Sequence, residues 1–115
     1  MPPSLGDRLL HVIDAIQRVQ NLIAGKSEEE IAASPTERLA LERLLEIISE
    51  ASRWTPADKK AKETQIDWQS MADLGNVLRH AYHLVNVGRM LSIVHADLPP
   101  LKAFVQRVID EEKKN

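Results

Sequence analysis

The stretch Leu74-Gly75-Asn76-Val77-Leu78-Arg79-His80-Ala81-Tyr82-His83 decides the fold of this chain, because it divides cleanly into two helical faces. At about 100° per residue, the apolar side chains of this region share one arc: Leu74, Val77, Leu78, Ala81 and Val85. The opposite arc holds the polar side chains and one glycine: Gly75, Asn76, Arg79, His80, Tyr82, His83 and Asn86. The split predicts an amphipathic helix.

The polar arc of this helix has an unusual composition. An ordinary solvated face carries Lys and Glu, whereas this arc carries Asn, Arg, Tyr and two His, which donate, accept and titrate near neutral pH. Gly75 adds a cost of roughly 1 kcal/mol in a helix interior relative to alanine. Something other than helix stability therefore favours these residues.

The sequence before this helix predicts three helical segments. Apolar residues at three- and four-residue spacing predict a first helix over residues 4–24, with Gly25 as its C-terminal cap. A capping box at residues 27–30 predicts a short helical turn to Ala33. A second box at residues 34–37, with proline at the first helical position, predicts a long helix to Arg53.

The remaining segments complete an all-α prediction. Residues 55–58 predict the start of a short helix, and the Lys-rich segment 58–65 is interpreted as a solvated turn and linker. Residues 66–68 return to the core, and the main helix runs over 69–84. The segment 85–95 either continues that helix or restarts after a bend near residues 86–88.

The stretch Asp97-Leu98-Pro99-Pro100 predicts a helix end, with Asp97 as the N-cap of the last helix. No strand pattern occurs. We therefore predict an up-and-down bundle of four to five helices, in one domain spanning residues 1–115.

Composition excludes several functional classes. The 115 residues contain no cysteine, which rules out disulfides, thiolate metal sites and cysteine nucleophiles and fits a reducing cytoplasm. The net charge of −2 provides no general attraction to nucleic acid, so an RNA contact has to be local. No apolar run approaches the roughly 18 residues of a membrane span, and the N-terminus lacks a signal-peptide pattern. We expect a cytoplasmic protein without membrane contact.

Histidine and arginine on the polar arc suggest phosphodiester chemistry. Asn76, His80 and His83 lie on one stripe at i, i+4 and i+7, but two histidines lack a third ligand, so we expect no metal and no cofactor. Arg79 offers a planar fork of donors for a phosphate. A base, an acid and a cation suffice for RNA cleavage without metal. The alternative is a helix–helix contact in which Gly75 permits close approach, and both interpretations hold if the site lies at a dimer seam.

The other two histidines are interpreted as structural. His11 lies among apolar neighbours of the first helix and is expected to be a surface or partly buried packing residue. His95 precedes the predicted helix end and could bind terminal carbonyls there.

Four stretches give the chain a family resemblance. Residues 44–51 look like a helix ending in Ile-Gly-Glu-Ala, and residues 66–68 look like an Ile-Pro-Trp entry. Residues 75–82 look like the signature Arg-Asn, three residues, then His-x-Tyr, and residues 97–101 match a last-helix start. Together they make the chain resemble the HepT-like (DUF86) family of the HEPN superfamily, toxins paired with a minimal nucleotidyltransferase antitoxin.

The resemblance implies a function for several residues. It implies a homodimeric helical bundle and a metal-independent endoribonuclease site in the dimer cleft, acting on an RNA such as tRNA or mRNA. His80 would be the catalytic histidine and Asn76 a polar residue of the motif, with Gly75 and His83 facing the cleft. Tyr82 matches a tyrosine that the antitoxin can modify with AMP, which would block the cleft and oppose phosphate binding.

The chain departs from the family pattern at its catalytic arginine. That arginine falls at position 75, which is Gly75 here, and the glycine of Gly-Glu-Ala is Ser49. Arg79 lies one turn further along and could supply the charge. Two alternatives remain: a degenerate member that binds a nucleotidyltransferase, a nucleotide or RNA without cleaving, and a helical interaction module with an unrelated task.

Overall fold

A computed structural model describes residues 2–80 and 85–114. Over these residues it has six helices and no strand, which confirms the all-α prediction. The helices are α1 Leu5–Ile23, α2 Glu28–Ala33, α3 Pro35–Trp54, α4 Ala57–Lys62, α5 Trp68–His80 and α6 Val87–Lys114.

Side-chain caps mark the starts of the first three helices, and those at Ser27 and Ser34 were predicted. Ser4 accepts a hydrogen bond from the Asp7 N–H before α1, and Ser27 does the same for Glu30 before α2. Ser34 caps α3, whose first residue is Pro35. These bonds satisfy N–H groups that a helix start leaves unpaired.

The core forms around α3. This helix packs against α1 on one side and α5 on the other, and α1 packs in turn against α6. The short α2 contacts both α3 and α6, with Ile31 fully buried. The site helix α5 is therefore held chiefly by α3.

The predicted helix break at Pro99-Pro100 is wrong, because α6 runs through both prolines. Asp97 is therefore not an N-cap, and His95 does not lie at a helix end. Each proline removes one helical N–H, and the carbonyls left without that donor belong to His95 and Ala96, two exposed residues of α6. Leu98 and Leu101 are buried on the other side, so core packing maintains the helix.

The junctions on either side of α5 were predicted in part. The short helix predicted to start at residues 55–58 is confirmed as α4, but it continues to Lys62, into the segment that was interpreted as a turn and linker. The lysines of that segment face solvent largely as predicted. Ile66 is buried as predicted. A restart at residues 86–88 is confirmed, since α6 begins at Val87 and the Asn86 side chain accepts from the Arg89 N–H at 2.7 Å. The predicted end of α5 at Leu84 lies outside the described residues.

None of the helices in the described part of the chain has the length and apolar character needed to cross a membrane.

Candidate active site

Two contacts fix the start of α5. The Asp67 side chain accepts hydrogen bonds from the Ser70 N–H at 3.0 Å and from the Ser70 hydroxyl at 2.8 Å. These bonds favour the carboxylate and lower the pKa of Asp67. The ring of Trp68 meets the ring of Phe104 of α6 edge to face, with centroids 5.6 Å apart. The helix therefore begins with a fixed position and orientation.

One face of α5 packs into the protein and another faces solvent. Met71, Leu74, Gly75 and Leu78 are buried. Asn76 and His80 are exposed at i and i+4, so they share a stripe on the open side of the helix. The structure thus leaves both predicted site residues accessible.

Gly75 was predicted either to face a cleft or to permit the close approach of another helix, and the structure shows the second arrangement, with Gly75 buried against Ser49 of α3. A Cβ atom at position 75 would lie 2.6 Å from the Ser49 Cβ and closer still to its hydroxyl oxygen. That hydroxyl donates to the Glu46 carbonyl at 2.6 Å, which holds it in place. The wheel placed Gly75 on the polar arc because it could not show how closely α3 approaches.

The side chain of Arg79 folds back along α5 towards Gly75. A Cβ at position 75 would lie 3.4 Å from the Arg79 Nη1 atom. The same nitrogen is 3.7 Å from the Glu50 Oε1 atom of α3, close enough for an ion pair but too far for a hydrogen bond. Since Gly75 directly precedes Asn76, the guanidinium lies about one turn before His80.

Tyr82 and His83 lie outside the described residues. No group of three His, Asp or Glu side chains that could hold a metal occurs in the part of the chain that the structure describes.

Sequence reasoning missed the contribution of α3 to this region. Glu50 and Ser49 both contact α5 residues, yet the only local signal is their place beside the apolar stripe of α3.

Sequence reasoning also missed a groove of about 460 Å³ between α1 and α3. His11 is exposed in this groove, and the Arg8 guanidinium stacks on the Trp54 ring at 3.9 Å.

Comparison with known proteins gives the family of the chain. The profile of the Ribonuclease HepT-like family matches residues 12–108. The "Probable ribonuclease HepT" of Thermococcus cleftensis is 32% identical over 108 residues, which cover 94% of this chain and 98% of the relative. The chain therefore belongs to the ribonuclease HepT-like family.

Two more distant relatives are similar along most of the chain. The "Putative RNase TTE0752" of Caldanaerobacter subterraneus subsp. tengcongensis is 27% identical, covering 91% of this chain and 94% of the relative. The "Gamma-glutamylcyclotransferase and putative RNase MJ0434" of Methanocaldococcus jannaschii is 28% identical over 93% of this chain. The chain spans about half of that relative, 48% of its length. No solved structure matches the chain.

Proposed function

We propose that this protein is an endoribonuclease that cleaves RNA without a metal ion, using His80, Arg79 and Asn76. The observation that carries the proposal is the folded-back guanidinium of Arg79. It supplies a cation beside Gly75, one turn before an exposed histidine, although the residue at position 75 has no side chain. This arrangement offers the phosphodiester a positive charge and an imidazole on neighbouring stripes of one helix.

The proposed reaction needs one base and one acid. The base takes the proton of the 2′-hydroxyl, O2′ attacks phosphorus, and the acid protonates the departing 5′-oxygen. The products are a 2′,3′-cyclic phosphate and a 5′-hydroxyl end. Arg79 stabilises the negative charge that develops on the phosphoryl oxygens, and Asn76 offers a further hydrogen bond.

The need for two imidazoles favours a homodimer. Within the described residues α5 exposes one histidine, His80, and a two-fold axis beside this helix would bring a second from the other subunit. One imidazole would then act as base and the other as acid. We place the site in that dimer cleft.

The proposed biological role is that of a toxin in a type VII-like toxin–antitoxin pair in the cytoplasm. Its partner would be a minimal nucleotidyltransferase that transfers AMP to Tyr82. Incubation of the two proteins with ATP, followed by mass analysis of the peptide containing Tyr82, tests this role. An unmodified peptide in the presence of an active transferase would contradict it.

Cleavage of a single-stranded RNA oligonucleotide tests the catalytic proposal. His80→Ala and Arg79→Ala should each lower kcat by about 100-fold or more, the usual effect of losing a general acid–base group or a charge-stabilising donor. His95→Ala, which removes an exposed histidine of α6, is the matched control and should cleave like the wild type. An oligonucleotide with 2′-deoxyribose at the cleaved position should resist, and its cleavage would contradict the mechanism.

A second candidate function is nucleotidyltransferase binding without RNA cleavage. Gly75 favours it, because Ser49 fills the space that a side chain at this position would need. A wild-type protein that co-purifies with the transferase but leaves RNA intact would support this alternative.

A further inference from the structure

Glu50 of α3 is shared between two arginines. Its carboxylate lies 3.2 Å from Arg53 Nη1 on the same helix and 3.7 Å from Arg79 Nη1 on α5. Glu50 directly follows Ser49, the residue that packs against Gly75. The carboxylate therefore lies next to the contact between Ser49 of α3 and Gly75 of α5.

The two ends of the Arg79 guanidinium have different surroundings. Nη1 is buried and has no hydrogen-bond acceptor among the described residues. The side chain as a whole is 29% exposed, so its accessible atoms are those other than Nη1. One nitrogen is thus buried in the helix contact near Glu50, while the exposed part of the side chain lies among its other atoms.

The other carboxylates near Arg79 have partners on their own helix. Glu42 and Glu46 line the groove beside Arg79 and Leu78, where Arg43 is the other charged residue. Glu42 pairs with Arg38 at 3.5 Å, and Glu46 pairs with Arg43 at 3.2 Å. In the described part of the chain, Glu50 is the carboxylate that also forms an ion pair with α5.

We propose that Glu50 is a positioning residue for the RNA cleavage reaction, acting through Arg79. It holds the inner nitrogen of the guanidinium, so that the outer donors are fixed towards the phosphate of the substrate. The buried Nη1 needs an acceptor, and the half-buried Glu50 carboxylate is the anion paired with it. This role rests on the proposed function of Arg79 and names a residue that the signature of α5 does not contain.

Glu50→Gln is the test variant, since it removes the charge and keeps the size of the side chain. Its kcat for RNA cleavage should fall at least ten-fold. KM should stay the same or decrease, because removing a carboxylate near the phosphate does not weaken RNA binding. Glu46→Gln, one turn earlier on α3, removes the ion pair to Arg43 instead and is the matched control, with kcat expected within two-fold of wild type.

A measurement without RNA separates this proposal from the proposed function. Hydrogen exchange of the Arg79 guanidinium with water, followed by ¹⁵N NMR and assigned with Arg79→Lys, should become several-fold faster in Glu50→Gln and not in Glu46→Gln. An unchanged exchange rate, or a kcat within two-fold of wild type in Glu50→Gln, would overturn the positioning role. A wild-type protein that fails to cleave RNA would instead overturn the proposed function, and the exchange rate alone would then decide whether Glu50 orients Arg79.

Discussion

Residue 75 is a glycine, and Ser49 of the neighbouring helix α3 fills the space that a side chain at this position would need. Ser49 places its Cβ and hydroxyl where the first carbon of any side chain at position 75 would lie. The resemblance noted from the sequence implies the reverse arrangement in the family, with glycine at the position of Ser49 and arginine at that of Gly75. Ser49 and Gly75 therefore act as a size-matched pair across the contact of α3 and α5.

This pairing predicts that arginine can be restored only together with space on α3. Gly75→Arg alone should lower the free energy of unfolding by about 1–3 kcal/mol, as expected for overpacking, and gain no activity. Ser49→Gly/Gly75→Arg should regain most of that stability and raise RNA cleavage above wild type. Thermal unfolding and the cleavage assay measure both effects.

Ser49→Gly alone is the control for the double variant. It should cost about 1 kcal/mol, the penalty for glycine in a helix, without changing cleavage. A stable and active Gly75→Arg single variant would show that α3 and α5 separate easily, contrary to this interpretation.

The charged carboxylate of Asp97 destabilises the folded state at neutral pH. Burial raises the pKa of its carboxyl, and the negative charge of Asp67 raises it further. Because the folded pKa is above the unfolded one, the folded state is relatively more stable at low pH, and that advantage is lost as pH rises from the unfolded to the folded pKa. Asp97→Asn should therefore unfold at a higher temperature than wild type at pH 7.

The pH dependence distinguishes this effect from a general gain in packing. The difference in unfolding temperature between Asp97→Asn and wild type should shrink towards pH 3, where both side chains are neutral. A difference that stays constant from pH 3 to pH 7 would contradict a charge effect at Asp97.

At the level of the helix, α6 shows that core packing can maintain a helix through prolines that would be expected to end it. Two consecutive prolines lie inside it, yet Leu98 and Leu101 on either side are among its most buried residues. Burying each leucine contributes roughly 1.5–3 kcal/mol, comparable to the penalty of about 3 kcal/mol for a proline in a helix interior. The helix is continuous because both leucines must face the core.

The same comparison predicts that the prolines inside α6 destabilise the folded state, and that replacing one of them raises the free energy of unfolding. Pro100→Ala restores one N–H donor for the Ala96 carbonyl and should raise the free energy of unfolding by up to about 3 kcal/mol. Pro35→Ala is the matched control. Because Pro35 is the first residue of α3, its missing N–H costs nothing, and stability should stay the same or fall slightly. Equal gains from both substitutions in urea unfolding would contradict the prediction.

At the scale of the whole molecule, the charge balance limits how RNA can bind. The net charge is −2, and Arg43, Arg53 and Arg79 each form an ion pair with a carboxylate of α3. Binding should therefore depend on a few local phosphate contacts rather than on a general electrostatic attraction.

The dependence of RNA binding on salt concentration tests whether only a few phosphate contacts are made. With cleavage blocked by His80→Ala, the logarithm of the binding constant should fall with the logarithm of salt concentration at a slope near −0.7 per phosphate contact. We expect a slope corresponding to a few contacts. In the double variant that also carries Arg79→Ala, the slope should become less steep by about 0.7 for each subunit of the proposed dimer whose Arg79 contacts the RNA. A steep slope that does not change with Arg79→Ala would place the RNA elsewhere.

Local patterns were sufficient to predict much of the fold and part of the site. Capping residues and apolar spacing depend on neighbours within one or two turns, so Ser27 and Ser34 correctly marked the starts of α2 and α3, and apolar spacing placed the start of α1 to within one residue. The same spacing placed Asn76 and His80 on the open side of α5. That residues 1–115 form one domain remains a prediction, as do the roles of Tyr82 and His83.

The sequence determined the all-α class, the solvent-facing stripe of α5 and the absence of cysteine chemistry, because each follows from composition or from helical periodicity. Tertiary structure decided that Gly75 faces Ser49, that Arg79 reaches back to Glu50 and that α6 continues through Pro99 and Pro100. These features depend on contacts between residues distant along the chain. A wheel gives the direction of a side chain on its own helix, but not the distance to the next helix or the atoms that occupy the space between.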